Sequence, residues 1–453
     1  MKAFNLLQLL IIINFLVFTA CNKNKLRENT DTSLLIINTV DNAQALLDNT
    51  NTMRETPGLS ELSADDYFLT DTSAANNKVE LNTYFWKPDI FEGQTLYGDW
   101  YYPYQQVYIA NSILEAMPKL ANSGNQSDRD RIAGSARFIR AYALFNVVLE
   151  FAKLYSPQAG TDLGIPVRLS PDPAIPSSRA TVKATYDQVI DDCKQSLPLL
   201  PGTIDNKRKN RPCLAAGYAL LARVYLVMAD YTNARLYADS CLQLHNKLID
   251  YNGVSTTDPF PFNNSNEEVI YQSNLLSTIN LFNQDNFVVD STLYKSYDSH
   301  DLRKQLFYTK NNDSLPVLKP GYSGTIFRFS GLATDEMLLI RAEANARLQN
   351  TSDALNDLNA LLEKRWSGTY TPLTASSPAA ALELVLAERR RELVFRGLRW
   401  ADIRRYNREN QGISLKRVMN GKEYTLPANS NLFVLPIPPD VISSVQGLQQ
   451  NPR

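Results

Sequence analysis

Two stretches carry side chains suited to holding a small polar ligand. Tyr67, Asp71, Tyr84 and Trp86 lie close together in a region that otherwise reads as loop, and Tyr294, Tyr297 and Asp298 form a second group further on. A flat aromatic ring can stack on the C–H face of a sugar, and Asp, Asn, Gln or Arg at the rim can bond its hydroxyls. Facing one another, the two groups would make such a platform. Tyr and Trp also fill hydrophobic cores more often than they meet ligands. Of the four Trp, Trp100 and Trp400 fall at helix positions and Trp366 closes a helical repeat, so the supply of free rings is modest and a peptide or another ligand stays open.

Hydrolytic chemistry would need paired carboxylates, which Asp285, Asp290, Asp298 and Asp301 could supply as in a glycosidase. Acids in Asn- and Ser-rich loops are usually only solvated, and nothing marks two of these as an acid and a base. The chain has only two His, His245 and His300, which nearly excludes a His-rich metal site and restricts any catalytic triad to one of them. Cys193, Cys213 and Cys241 have no zinc-ligand spacing. No metal or cofactor is expected. A net charge of −1 over 453 residues argues against nucleic acid as a partner.

The segment from Glu388 to Tyr406, ERRRELVFRGLRWADIRRY, holds seven arginines in nineteen positions and suggests a site for a polyanion. Helical spacing, however, gathers Leu393, Val394, Gly397, Leu398, Trp400 and Ala401 on one arc, with Phe395 and Ile403 on the charged side. Apolar residues on more than one side mark a helix buried among neighbours. Its charges can pair internally: Glu388 with Arg391, Glu392 with Arg396, and Asp402 with Arg399 or Arg405. Gly397 costs about 1 kcal/mol against Ala in a helix, which fits a place where another element packs closely.

The elements that must position these residues are mostly helical. Trp100 to Leu120 is periodic, with Trp100, Tyr104, Tyr108 and Asn111 as packing residues; long helices are expected over Arg131 to Tyr155 and Thr181 to Leu197. Arg211 to Asn246 places its packing residues as a ~34-residue tetratricopeptide repeat does. A second copy spans Asp335 to Arg365. Tyr218, Ala222, Ala234, Ala238 and Cys241 match Leu338, Ala342, Ala354, Leu358 and Leu361 at a constant separation of 120 residues. The expected fold is thus mostly α, a tetratricopeptide-repeat-like scaffold at about 100–247 and 332–407. An irregular insert of loops and short strands occupies about 248–331, with strand-like runs at Glu268–Gln272 and Thr325–Phe329. Tyr424 to Pro439 reads as strand, turn and strand. Cys213 and Cys241 could meet across the first repeat, but buried free thiols suit their surroundings better.

At the N-terminus, Lys2 precedes an apolar run from Leu6 to Ala20, short for a membrane span and suited to a secretory signal. It ends Phe18-Thr19-Ala20-Cys21, which looks like a lipobox and would leave Cys21 as the acylated first residue. Residues 21–30 would then be a flexible tether and residues 31–453 a single domain.

The arginine-rich segment also carries a family resemblance. It is similar to the C-terminal signature E-R-x-x-E-L-x-F-E-G-x-R-x-x-D-[IL]-x-R of the SusD/RagB proteins, with Arg396 standing where that pattern has an acid. Trp100 to Leu114, the helix at Arg131 to Tyr155, Gly164-Ile165-Pro166 and Gln450-Asn451-Pro452 resemble other motifs of the family. The resemblance implies a non-catalytic lipoprotein of the outer membrane. Such a protein captures a nutrient, usually a glycan and in some members a peptide, and delivers it to a SusC-like TonB-dependent transporter.

Overall fold

The computed structural model describes residues 37–70, 77–263, 266–276 and 287–453. Cys21, Asp71 and Asp285 lie outside the described residues, as does the leader with its tether. From Thr39 onward the chain packs as one unit.

Ten helices of eight or more residues are described: α1 (Val40–Leu47), α2 (Gly98–Ala116), α3 (Gln126–Phe151), α4 (Val182–Ser196), α5 (Leu214–Met228), α6 (Tyr231–Leu244), α7 (Thr334–Arg347), α8 (Thr351–Glu363), α9 (Pro378–Glu392) and α10 (Arg399–Arg408). From α2 to α9 each packs on the next, and α7 packs on α9 as well, which makes a continuous helical stack. The two repeats are α5–α6 and α7–α8. Ala222, Ala234, Ala238, Cys241, Ala342, Ala354, Leu358 and Leu361 are fully buried, and the small ones let paired helices approach closely. The first repeat turns at Ala229, left-handed at φ 64°, and Asp230 caps α6 by accepting from Asn233 N at 3.0 Å. Cys193, Cys213 and Cys241 are buried free thiols.

The insert consists of short strands that stitch distant parts of the chain. Val269–Tyr271 pairs with Leu332–Ala333, Asn274–Leu275 with Glu55–Thr56, and Phe287–Val289 with Tyr67–Leu69. Thr325–Phe329 is not a strand; it contributes one bridge, Phe329 to Asn274. The C-terminal hairpin also forms earlier than Tyr424. Leu415–Met419 pairs with Lys422–Leu426 across Asn420 and Gly421, both at positive φ, the Asn-Gly turn that suits a two-residue hairpin.

Glu388 to Tyr406 is two helices rather than one. The chain breaks between α9 and α10, with Phe395 at φ 57° and Gly397 at φ 76°. A Cβ on Gly397 would lie 2.8 Å from Leu275 Cδ2, and its N–H donates to Glu61 Oε2 at 2.7 Å. The close approach is therefore real, but it occurs at a turn. The ionic reading holds with different partners. Glu388 pairs with Arg391 at 2.7 Å and Asp402 with Arg405 at 2.8 Å, both within the segment. Glu392 instead bonds Arg303 at 2.6 Å and Arg365 at 2.7 Å, and Arg396 pairs with Asp335. Arg405 also reaches Glu343 at 2.8 Å. Glu268, Asp335 and Glu392 converge within 4.8 Å, the spacing of a metal site, yet each is already bonded to a guanidinium.

Burial alone would raise the pKa of Glu343, but Arg405 and Arg347 beside it outweigh that and hold it at about 2. Among the described residues Glu61 has no such cation at bonding distance, and Arg328 acts on it only from further away. Burial, reinforced by Asp66, pushes it up to about 8.

Two outcomes follow from this geometry. Gly397→Leu lowers the unfolding free energy by about 1–3 kcal/mol or more, through a forbidden φ and overpacking on Leu275; unchanged urea unfolding would contradict the turn. Glu61 binds its proton more tightly folded than unfolded, so its contribution is complete below about pH 4.3 and is lost as pH rises towards 8. Glu61→Gln should gain stability relative to the parent by up to about 1.4 kcal/mol per pH unit between pH 5 and 8. A pH-independent difference in denaturation midpoints would refute a protonated Glu61.

Candidate functional site

The connection 364–377 between α8 and α9 builds the most ligand-like surface among the described residues. It is long for two packed helices. The chain at His300–Leu302 runs beside its first residues: Leu302 N donates to Arg365 O at 2.9 Å and Ser367 N to His300 O at 2.8 Å. This pairing sets the His300 ring parallel to Trp366, with centroids 5.9 Å apart and planes at 16°. Gly368, at φ 77°, then turns the loop back, and Tyr370 meets the Trp366 ring edge-on at 5.7 Å. The turn is anchored by Asn359, whose Oδ1 accepts from Tyr370 OH at 2.6 Å and from Leu373 N at 2.8 Å.

These residues border a cleft of about 620 Å³, within the usual range for small-molecule sites. Asp298, Thr369 and Thr371 supply its polar rim. Asp298 Oδ1 accepts from His300 N at 2.8 Å and lies 3.0 Å from His300 Nδ1, which leaves Oδ2 open. Those bonds from His300 hold the Asp298 carboxyl below its ordinary value. The floor is the outer end of the buried ionic network, where Arg391 pairs with Glu388. Stacking faces beside uncommitted hydrogen-bonding groups are what a saccharide needs.

Of the described residues expected from sequence to bind ligand, only Asp298 reaches this cleft; Asp301, weighed as a hydrolytic acid, also borders it. Tyr297 is buried beneath it; its hydroxyl donates to Arg391 O at 2.7 Å and meets Tyr308 OH at 2.9 Å. Tyr294 is half-buried, edge-on to Tyr308 at 5.5 Å, with the Lys304 ammonium 5.3 Å from its ring centre. Tyr67, Tyr84 and Trp86 turn inward as walls around another core side chain, the Arg417 guanidinium. Arg417 lies 3.7 Å from the Tyr84 ring centre, 4.5 Å from Trp86 and 5.3 Å from Tyr67. All three rings are buried, and their polar atoms are satisfied internally: Tyr67 OH by Leu62 O, Tyr84 OH by Leu69 N, and Trp86 Nε1 by Ser63 O. They offer no face to solvent. The acids weighed for hydrolysis have separate tasks: Asp290 caps a short helix by accepting from Leu293 N, and Asp301 is buried on Arg303 at 2.6 Å.

Trp366 and Tyr370 border this cleft although Trp366 reads from sequence as the end of a repeat. The available signal was Trp-Ser-Gly-Thr-Tyr-Thr in an overlong connection. A second concavity, of about 450 Å³, runs along α2 past Tyr97, Trp100, Tyr101, Tyr104 and Tyr108. Trp100 stacks on Tyr104 at 4.9 Å, Tyr104 OH donates to Pro166 O, and Asn111 Nδ2 to Arg168 O, in keeping with a packing role. Because Tyr84 walls Arg417, Tyr84→Ala should cost about 3 kcal/mol or more in urea unfolding; a variant as stable as the parent would return Tyr84 to the ligand-binding set.

A family model described as starch-binding associating with outer membrane matches residues 21–226, and one described as SusD family matches residues 283–453. No curated relative matches in sequence. Among solved structures, a SusD superfamily protein from Bacteroides thetaiotaomicron is 22% identical with a TM-score of 0.76, over 92% of this chain and 100% of that one. A putative sugar binding protein from Bacteroides vulgatus is 22% identical with a TM-score of 0.73, over 92% and 99%. A laminarin binding SusD-like protein is 18% identical with a TM-score of 0.65, over 91% and 98%. With helical repeats, stitched insert and terminal signature all in agreement, the chain belongs to the SusD/RagB family.

Proposed function

We propose that this protein captures an oligosaccharide in the Trp366 cleft without chemically altering it. The observation that carries the reading is the parallel His300–Trp366 pair with Tyr370 edge-on, beside the open oxygen of Asp298. Aromatic rings accept the C–H faces of sugars, and the rim accepts and donates to hydroxyls. The sugar-binding and laminarin-binding proteins that share the fold support the same ligand class. A binding rather than hydrolytic role is supported by the acids, since Asp290 and Asp301 are committed to structure.

In this reading residues 1–20 are a leader, Cys21 is acylated, residues 21–30 tether the chain to the outer membrane, and 31–453 form one domain. The captured glycan passes to a SusC-like TonB-dependent transporter. Titration of the protein against an array of oligosaccharides and peptides tests the ligand class. Trp366→Ala should weaken binding of the selected glycan by about tenfold or more, from the loss of one stacked ring, while melting stays unchanged. Full affinity in that variant, selection of peptides alone, or release of reducing ends on incubation would each overturn the proposal.

A further inference from the structure

The arginines of α9, α10 and the turn between them divide into two sets. Arg389, Arg390, Arg391, Arg396, Arg399 and Arg405 each hold a carboxylate. Among the described residues Arg404 and Arg408 hold none. Arg404 donates its two terminal nitrogens to Leu149 O and Ala152 O, and Arg408 donates Nη1 to Tyr155 O at 2.6 Å and Val227 O at 2.8 Å. Leu149, Ala152 and Val227 sit at the C-terminal ends of α3 and α5. A helix end carries about half a negative charge, so two of them offset only part of two full positive charges. Among the described residues Arg404 Nε also makes no bond, and it is not sealed from solvent. Burial depresses the pKa of both guanidiniums, Arg404 to about 10, whereas their acid-paired neighbours Arg389, Arg390 and Arg405 are raised.

Both arginines line a pocket of about 390 Å³ between the end of α3, the end of α10 and residues 428–434. Lys153 stands at its edge, paired with Asp162 at 2.8 Å, and the exposed Asn429 and Asn431 form its rim. The lining therefore holds three cations against one carboxylate, and it shares no residue with the Trp366 cleft. We propose that this pocket binds a small oxyanion, a carboxylate or sulfate such as acidic sugars carry. The anion supplies countercharge at the pocket wall and an acceptor for Arg404 Nε. The polyanion suggestion of the arginine-rich segment thus resolves to two residues at its far end, one of them beyond Tyr406.

Calorimetric titration of the full chain at constant ionic strength tests this, with sodium sulfate, sodium glucuronate, sodium chloride and glucose as probes. Sulfate, glucuronate or both should bind saturably, and chloride and glucose should not bind at this pocket. Binding of glucuronate alone assigns the site to acidic sugars, and binding of sulfate alone to inorganic sulfate or sulfate esters. Asn429→Glu places a negative charge on the exposed rim and should weaken the anion about tenfold without moving the melting temperature. Arg408→Gln should weaken it at least as much, and Trp366→Ala should leave it unchanged. No saturable binding of either anion, or affinity that survives Asn429→Glu, would overturn the proposal.

Discussion

Glu392 is the carboxylate on which the interior converges. It ends α9 and bonds Arg303, which enters from the insert, and Arg365, which closes the second repeat. Three segments far apart in sequence are thereby held at one point. Arg365 continues to Glu268 at 2.8 Å, and Arg303 to Asp301 and Glu388. All of these groups are buried, so removing one partner would strand a charge at a cost of about 3–5 kcal/mol. Such pairs rarely stabilise more than well-packed apolar groups would. Their value here is geometric. Helices packed through alanines can slide, whereas forked guanidinium contacts admit one register. The network surfaces at Glu388 and Arg391, so the floor of the Trp366 cleft inherits the rigidity of the core.

The helical scaffold was legible because its signals are local. Ala222, Ala234 and Ala238 recur at spacings that only paired helices satisfy, and the matching set 120 residues on repeats the pattern. The ionic character of Glu388 to Tyr406 was legible too, since seven arginines in a partly apolar segment require acids. Which acids could not be read. Arg396 takes Asp335, and Glu392 takes Arg303 and Arg365, because the break at Phe395 and Gly397 sends the chain in a new direction. A helical wheel assumes no break. The Asn420-Gly421 turn, by contrast, was a local signal that had been available for the hairpin.

The candidate cleft was harder to read because an aromatic residue does not declare its side of the fold. Tyr67, Tyr84 and Trp86 lie in loop-like sequence, yet Arg417 from the C-terminal hairpin reaches back and encloses itself among them. That contact spans more than three hundred residues, and nothing local foretells it. Trp366 looked like a packing residue at a helix end. It is half-buried and borders the cleft, and Asn359 anchors the loop that follows it. Asp298 stays exposed at the cleft because no arginine or lysine among the described residues claims it, as Arg303 claims Asp301.

An ion-paired interior fixes the fold, and the loop-built cleft at Trp366 is the proposed binding surface beside it. A crystal structure of the protein with a bound oligosaccharide tests that separation most directly. It should show a sugar ring lying on Trp366, hydroxyls bonded to Asp298 and the Thr369 region, and the Glu392–Arg303–Arg365 contacts unmoved. A saccharide seated instead in the groove along α2, or bound by displaced arginines of the interior, would contradict it.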